Sequence, residues 1–472
     1  MQAVVGQWAP ARARTRIVNL LELNDAELGL YRDGEAIYRQ PAVAHVGAER
    51  CRFGLEALRI ARLHPQQANL QYLARLNADP LPLPGKLAAN HADLVYLHLL
   101  EVNACIGGAA PANAGVGMAR RSSQADGAPR RRGFRLPWGD GRRTGPDLGD
   151  QDRSSRAMRT GDGGRSGTAG SPTRGGTGLI AAVPGSLGTE QLGVLLGIAQ
   201  ETGLDIRGFV DSAVLMASAA ALPPRCWLLD MHLTRACLTE LRAGDDVARA
   251  GVEELPGCGL ISCLDGWANL LADRFVQDTR FDPLHAADTE QQLFDQLYDW
   301  AQSGRRGEPV EGEFAAEIRH GGHERRVQVP GDALRGKLVQ RFRQLAQKLP
   351  DGARLLAAPR TAALPGLMAG LAELGIQADR LPADALGRGF ARHADRIAAG
   401  QLRLVDRLPC EGVAQAPRAD APPMATHVLH ESRAWPLDGN PFGLPRTGRA
   451  GETVDRDGRR YLLIKVETIS GG

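Results

Sequence analysis

Apolar residues fall into short runs and longer periodic stretches that alternate along most of the chain. Ile17–Leu23 is a run of strand length, and Leu28–Arg32 follows after a polar turn. Asp33-Gly34 suits a tight hairpin, so Glu35–Tyr38 and Ala42–Val46 are expected to extend the same sheet. Phe53–Leu63 has apolar residues at helical spacing, and Asp93–Val102 reads as a second helix. Further along, Leu179–Val183, Ile206–Val210, Cys226–Asp230, Ala236–Arg242 and Arg354–Ala358 read as strands. Between and after them lie helical stretches at Thr189–Thr202, Ala213–Ala221, Leu260–Val276, Thr289–Ser303, Asp332–Leu349 and Leu364–Leu374. Thr189 is the expected N-cap of the first of these, and Gly203 its C-terminal stop. This alternation predicts an α/β architecture.

The pattern breaks twice. From Asn103 to Gly178 the chain holds thirteen Arg, six Asp and no Lys, and apolar periodicity is lost. Such a segment buries too little apolar surface to offset its ordering entropy, so it is expected to be disordered. Three origins stay open: a solvated insertion, a weak phosphate-binding arm, or a reading-frame slip in a GC-rich gene. Nucleic acid is the less favoured partner, because only Phe134 and Trp138 could stack on bases. After Gly400 the pattern weakens again. Pro417–Pro423 reads as a linker, and Thr426–Leu429, Ala434–Leu437 and Arg460–Glu467 as short strands of a small β-rich tail.

Composition adds little to this picture. The 472 residues allow two or three domains, and a net charge of +3 is too small to imply nucleic acid for the whole protein. Seven cysteines stand at 51, 105, 226, 237, 258, 263 and 410, without the paired spacing of a zinc site. They read as reduced thiols of a cytoplasmic protein. The opening MQAVVGQWAPARARTR lacks the apolar core of a secretory signal, and no run is long enough to span a bilayer. No membrane association is expected.

Several segments, in order, resemble the nucleotide-binding domain of the seventy-kilodalton heat-shock chaperones, in the actin-like ATPase superfamily. IVNLLELNDAELGLYRDGEAIYRQPAVAHVG resembles that family's first strand, phosphate turn and hairpin. FGLEALRIARLHPQQANLQYLARL is similar to the segment ending in its Lys-Arg-Leu. LIAAVPGSLGTEQLGVLLGIAQETGLDIRGFVDSAVLMASA is the closest match. CWLLDMHLTRACLTEL stands at the second phosphate loop, ARLLAAPRTAALPGLMAGLAEL at the adenosine loop, and LPADALGRGFARHA at the helix that follows. The resemblance covers roughly 16–100 and 179–395. It implies two RNase H-like lobes around a cleft: 1–102 and 179–225 in lobe I, 226–400 in lobe II. The insertion at 103–178 and the tail at 401–472 lie outside them.

The same resemblance implies ATP and Mg²⁺ as cofactors, but the residues that would handle them are largely replaced. Glycine-rich turns let backbone N–H groups approach phosphates. Here the first turn reads Glu22-Leu23-Asn24-Asp25-Ala26-Glu27, and Asp25 and Glu27 bring negative charge to the triphosphate's place. The second reads Asp230-Met231-His232-Leu233-Thr234, without glycine. The family's catalytic lysine falls on Ala74, its second aspartate on Cys237, and its paired adenosine-loop glycines on Ala357 and Ala358. Three acids persist: Glu22, Asp211 and Asp230. They are the candidate metal ligands, and with Ala357 and Ala358 the candidate nucleotide site. No catalytic residue is assigned. His232 could be a ligand or base, but a loop histidine is more often a capping side chain.

Two readings of function follow. In one, the chain is a non-hydrolysing scaffold for an unidentified protein partner or client, with residual nucleotide binding at most. In the other, it is a divergent chaperone-like ATP hydrolase. A sugar or acetate kinase of the same superfamily is disfavoured, because VPGSLGTEQ follows the chaperone pattern.

Overall fold

Ile17–Asn24 (β1), Glu27–Arg32 (β2) and Glu35–Gln40 (β3) form an antiparallel meander. The turn between β1 and β2 is only Asp25-Ala26, tightened by Ala26 N–H donating to Asn24 Oδ1 at 2.9 Å. The computed structural model describes residues 17–107, 178–306, 312–400, 402–410, 425–430, 433–445, 447–448, 450 and 452–465. Ala44–Val46 (β4), Cys51–Phe53 (β5) and Ala68–Asn69 (β6) make a small separate sheet. Gly178–Val183 (β7) and Ile206–Asp211 (β8) then add in parallel to the other side of β1. With Leu404–Val405 (β16) this sheet has the order β3-β2-β1-β7-β8-β16.

A second sheet repeats the plan. Arg225–Met231 (β9), Arg235–Ala243 (β10) and Asp246–Pro256 (β11) form the meander. Glu313–His320 (β12) and His323–Pro330 (β13) pair as a separate hairpin. Leu355–Ala357 (β14) and Ala378–Arg380 (β15) then join β9 in parallel, and Arg407–Pro409 (β17) closes the far edge. The order is β17-β11-β10-β9-β14-β15. In both units an antiparallel meander is followed by two parallel strands beside its first member. The chain is therefore mixed α/β, with two topologically equivalent sheets.

The outer face of the first sheet is covered by helices His91–Ile106 and Thr189–Thr202. Helices Leu260–Thr279, Ala287–Ala301 and Gly331–Lys348 pack over the second unit. Between the sheets lie Ser212–Ala217 and Ala385–Ala398, in a core that draws Leu20 and Ile180 from one sheet and Leu228 and Leu356 from the other. Gly389 permits their crossing: a Cβ there would stand 2.2 Å from the Leu215 carbonyl oxygen. His427–His430 (β18), Arg433–Pro436 (β19), Thr453–Arg456 (β20) and Arg459–Ile464 (β21) form a four-stranded sheet with its own apolar cluster.

Three expectations are corrected. The helix expected at Phe53–Leu63 covers only Gly54–Leu58; Pro65 disfavours helical geometry at His64, and the intervening residues form turns. Gly188, not Thr189, caps Thr189–Thr202, with Gln191 Oε1 accepting the Gly188 N–H at 2.9 Å. Asn103 is not insertion: the helix runs to Ile106, and Asn103 Nδ2 donates to Thr202 O at 2.8 Å. The remainder of the Gly/Arg-rich stretch, including Phe134 and Trp138, lies outside the described residues, as does most of Pro417–Pro423.

Candidate functional site

β1 and β9 hold equivalent places, and the turn after each meets the other across the interface. Asp25, in the first turn, accepts at Oδ1 from Leu233 N–H at 2.6 Å and meets His232 Nδ1 at 3.1 Å. Its Oδ2 takes Nη1 of Arg235 at 2.8 Å. Burial works against the Asp25 carboxylate, yet His232, Arg235 and the Leu233 N–H outweigh it and hold its pKa at about 2. Burial also opposes charge on His232, but Cys237 and Asp25 hold its pKa well above the usual value. Its Nδ1 faces the Asp25 carboxylate. The Asp25 charge in the first turn is thus met by Arg235 and the Leu233 N–H of the opposite turn, while Glu27 meets Arg39 of its own sheet.

Glu22 lies near the end of β1, opposite Gly29 of β2 and Ala182 of β7, and is 2% exposed. Asp230 occupies the matching place on β9 and is 5% exposed. Arg360, in the short helix Pro359–Ala362 after β14, reaches both: Nη2 contacts Glu22 Oε1, and Nε donates to Asp230 Oδ1 at 3.0 Å. The other oxygens are engaged too. Tyr31 Oη donates to Glu22 Oε2 at 3.0 Å, and Asn24 Nδ2 to Asp230 Oδ2 at 3.0 Å. Burial lowers the Arg360 pKa to about 9, which leaves the guanidinium charged at neutral pH.

Asp211 stands apart. Its Oδ1 caps Ser212–Ala217, accepting from Ala213 N–H at 2.9 Å and Val214 N–H at 3.1 Å. Its Oδ2 takes Nη1 of Arg249, from β11, at 2.8 Å, and the same nitrogen donates to Gly185 O at 3.0 Å. Burial pushes the Asp211 pKa up, and Arg249 with the two N–H groups reverses only part of that. Ala357 and Ala358 are fully buried, and Ala358 N–H donates to Leu229 O at 3.0 Å. Ala74 presents its carbonyl to Gln191 Nε2 at 3.1 Å. Cys237 lies opposite Asp230 on β10, with its Sγ 3.9 Å from Ser186 Oγ.

The structure therefore brings Glu22 and Asp230 together around one guanidinium and gives Asp211 a different one. A hydrated divalent ion does not fit this donor set: Mg²⁺ needs six oxygen ligands near 2.0–2.1 Å, and these carboxylate oxygens are already engaged. Among the described residues, no group of three or more His, Cys, Asp or Glu side chains is arranged to hold a metal. The cavity beside Arg360, lined also by Ala26, Met231, Leu260, Gln302 and Leu364, has a volume of about 20 Å³. That is room for roughly one water, whereas ligand pockets run to about 300–1,000 Å³.

Sequence reasoning from phosphate loops does not find Arg235, Arg249 or Arg360. The available signal was electrostatic: three acids ending buried strands each need a cation, and Arg360 follows a short apolar strand directly. Compared with known proteins, the chain is matched by no family model and by no curated protein.

Proposed function

We propose that the chain is a two-lobed protein of the heat-shock-chaperone and actin-like kind that works as a non-hydrolysing scaffold for a protein partner. The repeated strand order of the two sheets supports the architecture. One observation carries the functional reading: the acids that would handle a Mg²⁺–nucleotide are engaged by arginines, and a cavity of about 20 Å³ remains beside them. Phosphoryl transfer relies on positioning and on charge stabilisation by metal and backbone donors. Here the carboxylates meet arginines instead, so the chain contributes surfaces rather than turnover. Seven unpaired thiols suit a reducing cytoplasm. Among the described residues no helix is long and apolar enough to cross a membrane.

The test is titration with a fluorescent ATP analogue in the presence of Mg²⁺, alongside a phosphate-release assay. No saturable binding at micromolar concentration and no turnover are expected. Saturable binding that disappears in Asp230→Ala, or phosphate release that depends on Mg²⁺, would establish the divergent ATPase instead.

A further inference from the structure

Glu22 and Asp230 come from equivalent strands of different sheets, and both are buried at the seam. Two carboxylates in such a place repel each other and lose hydration, so the arrangement holds only with a cation between them. In this chain that cation is covalent. We propose that the Arg360 guanidinium is the resident cation of the cleft, standing where a divalent ion would stand, and that it keeps the two lobes closed without nucleotide or metal. The inference rests on the scaffold reading and adds how the closed state is held.

Three features carry it. First, the guanidinium fork suits a bridge between two acids. Its Nε serves Asp230 and its Nη2 serves Glu22, so one planar group joins two lobes. Second, Tyr31 donates to Glu22 Oε2 and Asn24 donates to Asp230 Oδ2 and Met231 O, while the buried Glu22 Oε1 makes no hydrogen bond and meets only the Arg360 Nη2 ion pair. Arg360 Nη1 has no hydrogen-bond partner in that shell, and a cationic donor offers nothing to a metal ion. Third, arginines bridge the lobes elsewhere along the same seam. Arg235 and Arg249 join the turns and strand ends, and Arg62 reaches from beyond the helix Gly54–Leu58 to Asp265 at 2.7 Å and Glu290 at 3.2 Å. The Arg62 guanidinium also lies 3.6 Å from the Phe294 ring centre. Closure is thus written into side chains at both the floor and the mouth of the cleft, whereas a nucleotide-gated cleft would leave it to the ligand. The partner surface is presented in one fixed state.

Two measurements test this on the full chain. In wild type, amide hydrogen exchange rates at Leu233 report the seam, since its N–H bonds Asp25 of the other unit. Millimolar Mn²⁺, with or without ATP, is expected to change those rates less than twofold; slowing by tenfold or more would overturn the proposal. In Arg360→Ser the two carboxylates lose their cation. That variant is expected to gain one Mn²⁺ site per chain, seen as loss of the free-ion electron paramagnetic resonance signal and abolished by adding Asp230→Asn. A folded Arg360→Ser protein that binds no Mn²⁺ would also overturn it, and the wild-type exchange experiment decides if the variant fails to fold. ATP turnover in wild type would instead sink the scaffold reading itself, so the two failures are separable.

Discussion

His98 sits in the core of the first unit, 1% exposed, with a tyrosine hydroxyl on each ring nitrogen: Tyr38 Oη at 2.6 Å from Nε2 and Tyr72 Oη at 2.5 Å from Nδ1. Phe53 stacks on the ring at 4.8 Å. One nitrogen donates and the other accepts, so the neutral ring satisfies both hydroxyls. Burial lowers its pKa from 6.5 to about 3. Between those values the unfolded chain binds one more proton than the folded one. Stability is therefore fully present above about pH 6.5 and falls by up to about 1.4 kcal/mol per pH unit as the pH drops toward 3. Glu101, its pKa raised by burial to about 7, contributes with the opposite sign, so the readout is the difference: between pH 7 and 4.5 urea midpoints should fall more steeply in wild type than in His98→Phe. The variant should start about 1–3 kcal/mol lower at pH 7, because two buried hydroxyls lose a partner. Equal slopes in both proteins would refute the assignment. Asp25 does not confuse the result, since its stabilisation is lost only as the pH falls from about 4 toward 2.

At the scale of elements, the helix Leu260–Thr279 starts beneath the turn that carries His232 and Arg235. Leu260 N–H donates to His232 O at 2.9 Å and Ile261 N–H to Leu233 O at 2.9 Å, so the turn satisfies two of the helix's unpaired donors. Gly259 makes that contact possible, because a Cβ there would lie 2.3 Å from Arg235 N. Gly259→Ala should cost about 3 kcal/mol and loosen the Asp25 contacts. Gly197, inside Thr189–Thr202, has nothing within 4 Å of an added Cβ, so Gly197→Ala should instead raise stability by about 1 kcal/mol. Thermal melts of the two variants should move in opposite directions. Helices such as Leu260–Thr279 and Ala287–Ala301 were legible because their buried residues recur at the helical period. Asp246–Pro256 was not, since only Val247 and Leu255 are buried in that long strand and its other residues read as polar loop.

For the whole molecule, the equivalent sheets are joined through Ser212–Ala217 and Ala385–Ala398, while the tail sheet keeps a cluster of its own around Val428, Tyr461 and Leu463. A chain ending at Cys410 should therefore melt at the same midpoint as the full protein in scanning calorimetry. A drop of several degrees would show that the tail supports the body. Most of the order of strands and helices could be read from apolar runs, turn residues and helical spacing, because those signals are local, but Asp246–Pro256 and the hairpin of Glu313–His320 with His323–Pro330 could not.

The sequence by itself determined most strands and helices, though not Asp246–Pro256, Glu313–His320 or His323–Pro330, and it showed that the turns after Ile17–Asn24 and Arg225–Met231 carry no glycine. It also placed Glu22, Asp211 and Asp230 near the ends of strands, but did not show what those acids do. Their partners Arg360, Arg249 and Asn24 come from other strands and turns, and Asp230 and Asn24 lie 206 residues apart. No local pattern encodes a contact at that separation. Only the folding of two equivalent sheets against each other puts one guanidinium between Glu22 and Asp230 and another beside Asp211, and those placements give three candidate metal ligands arginine partners instead.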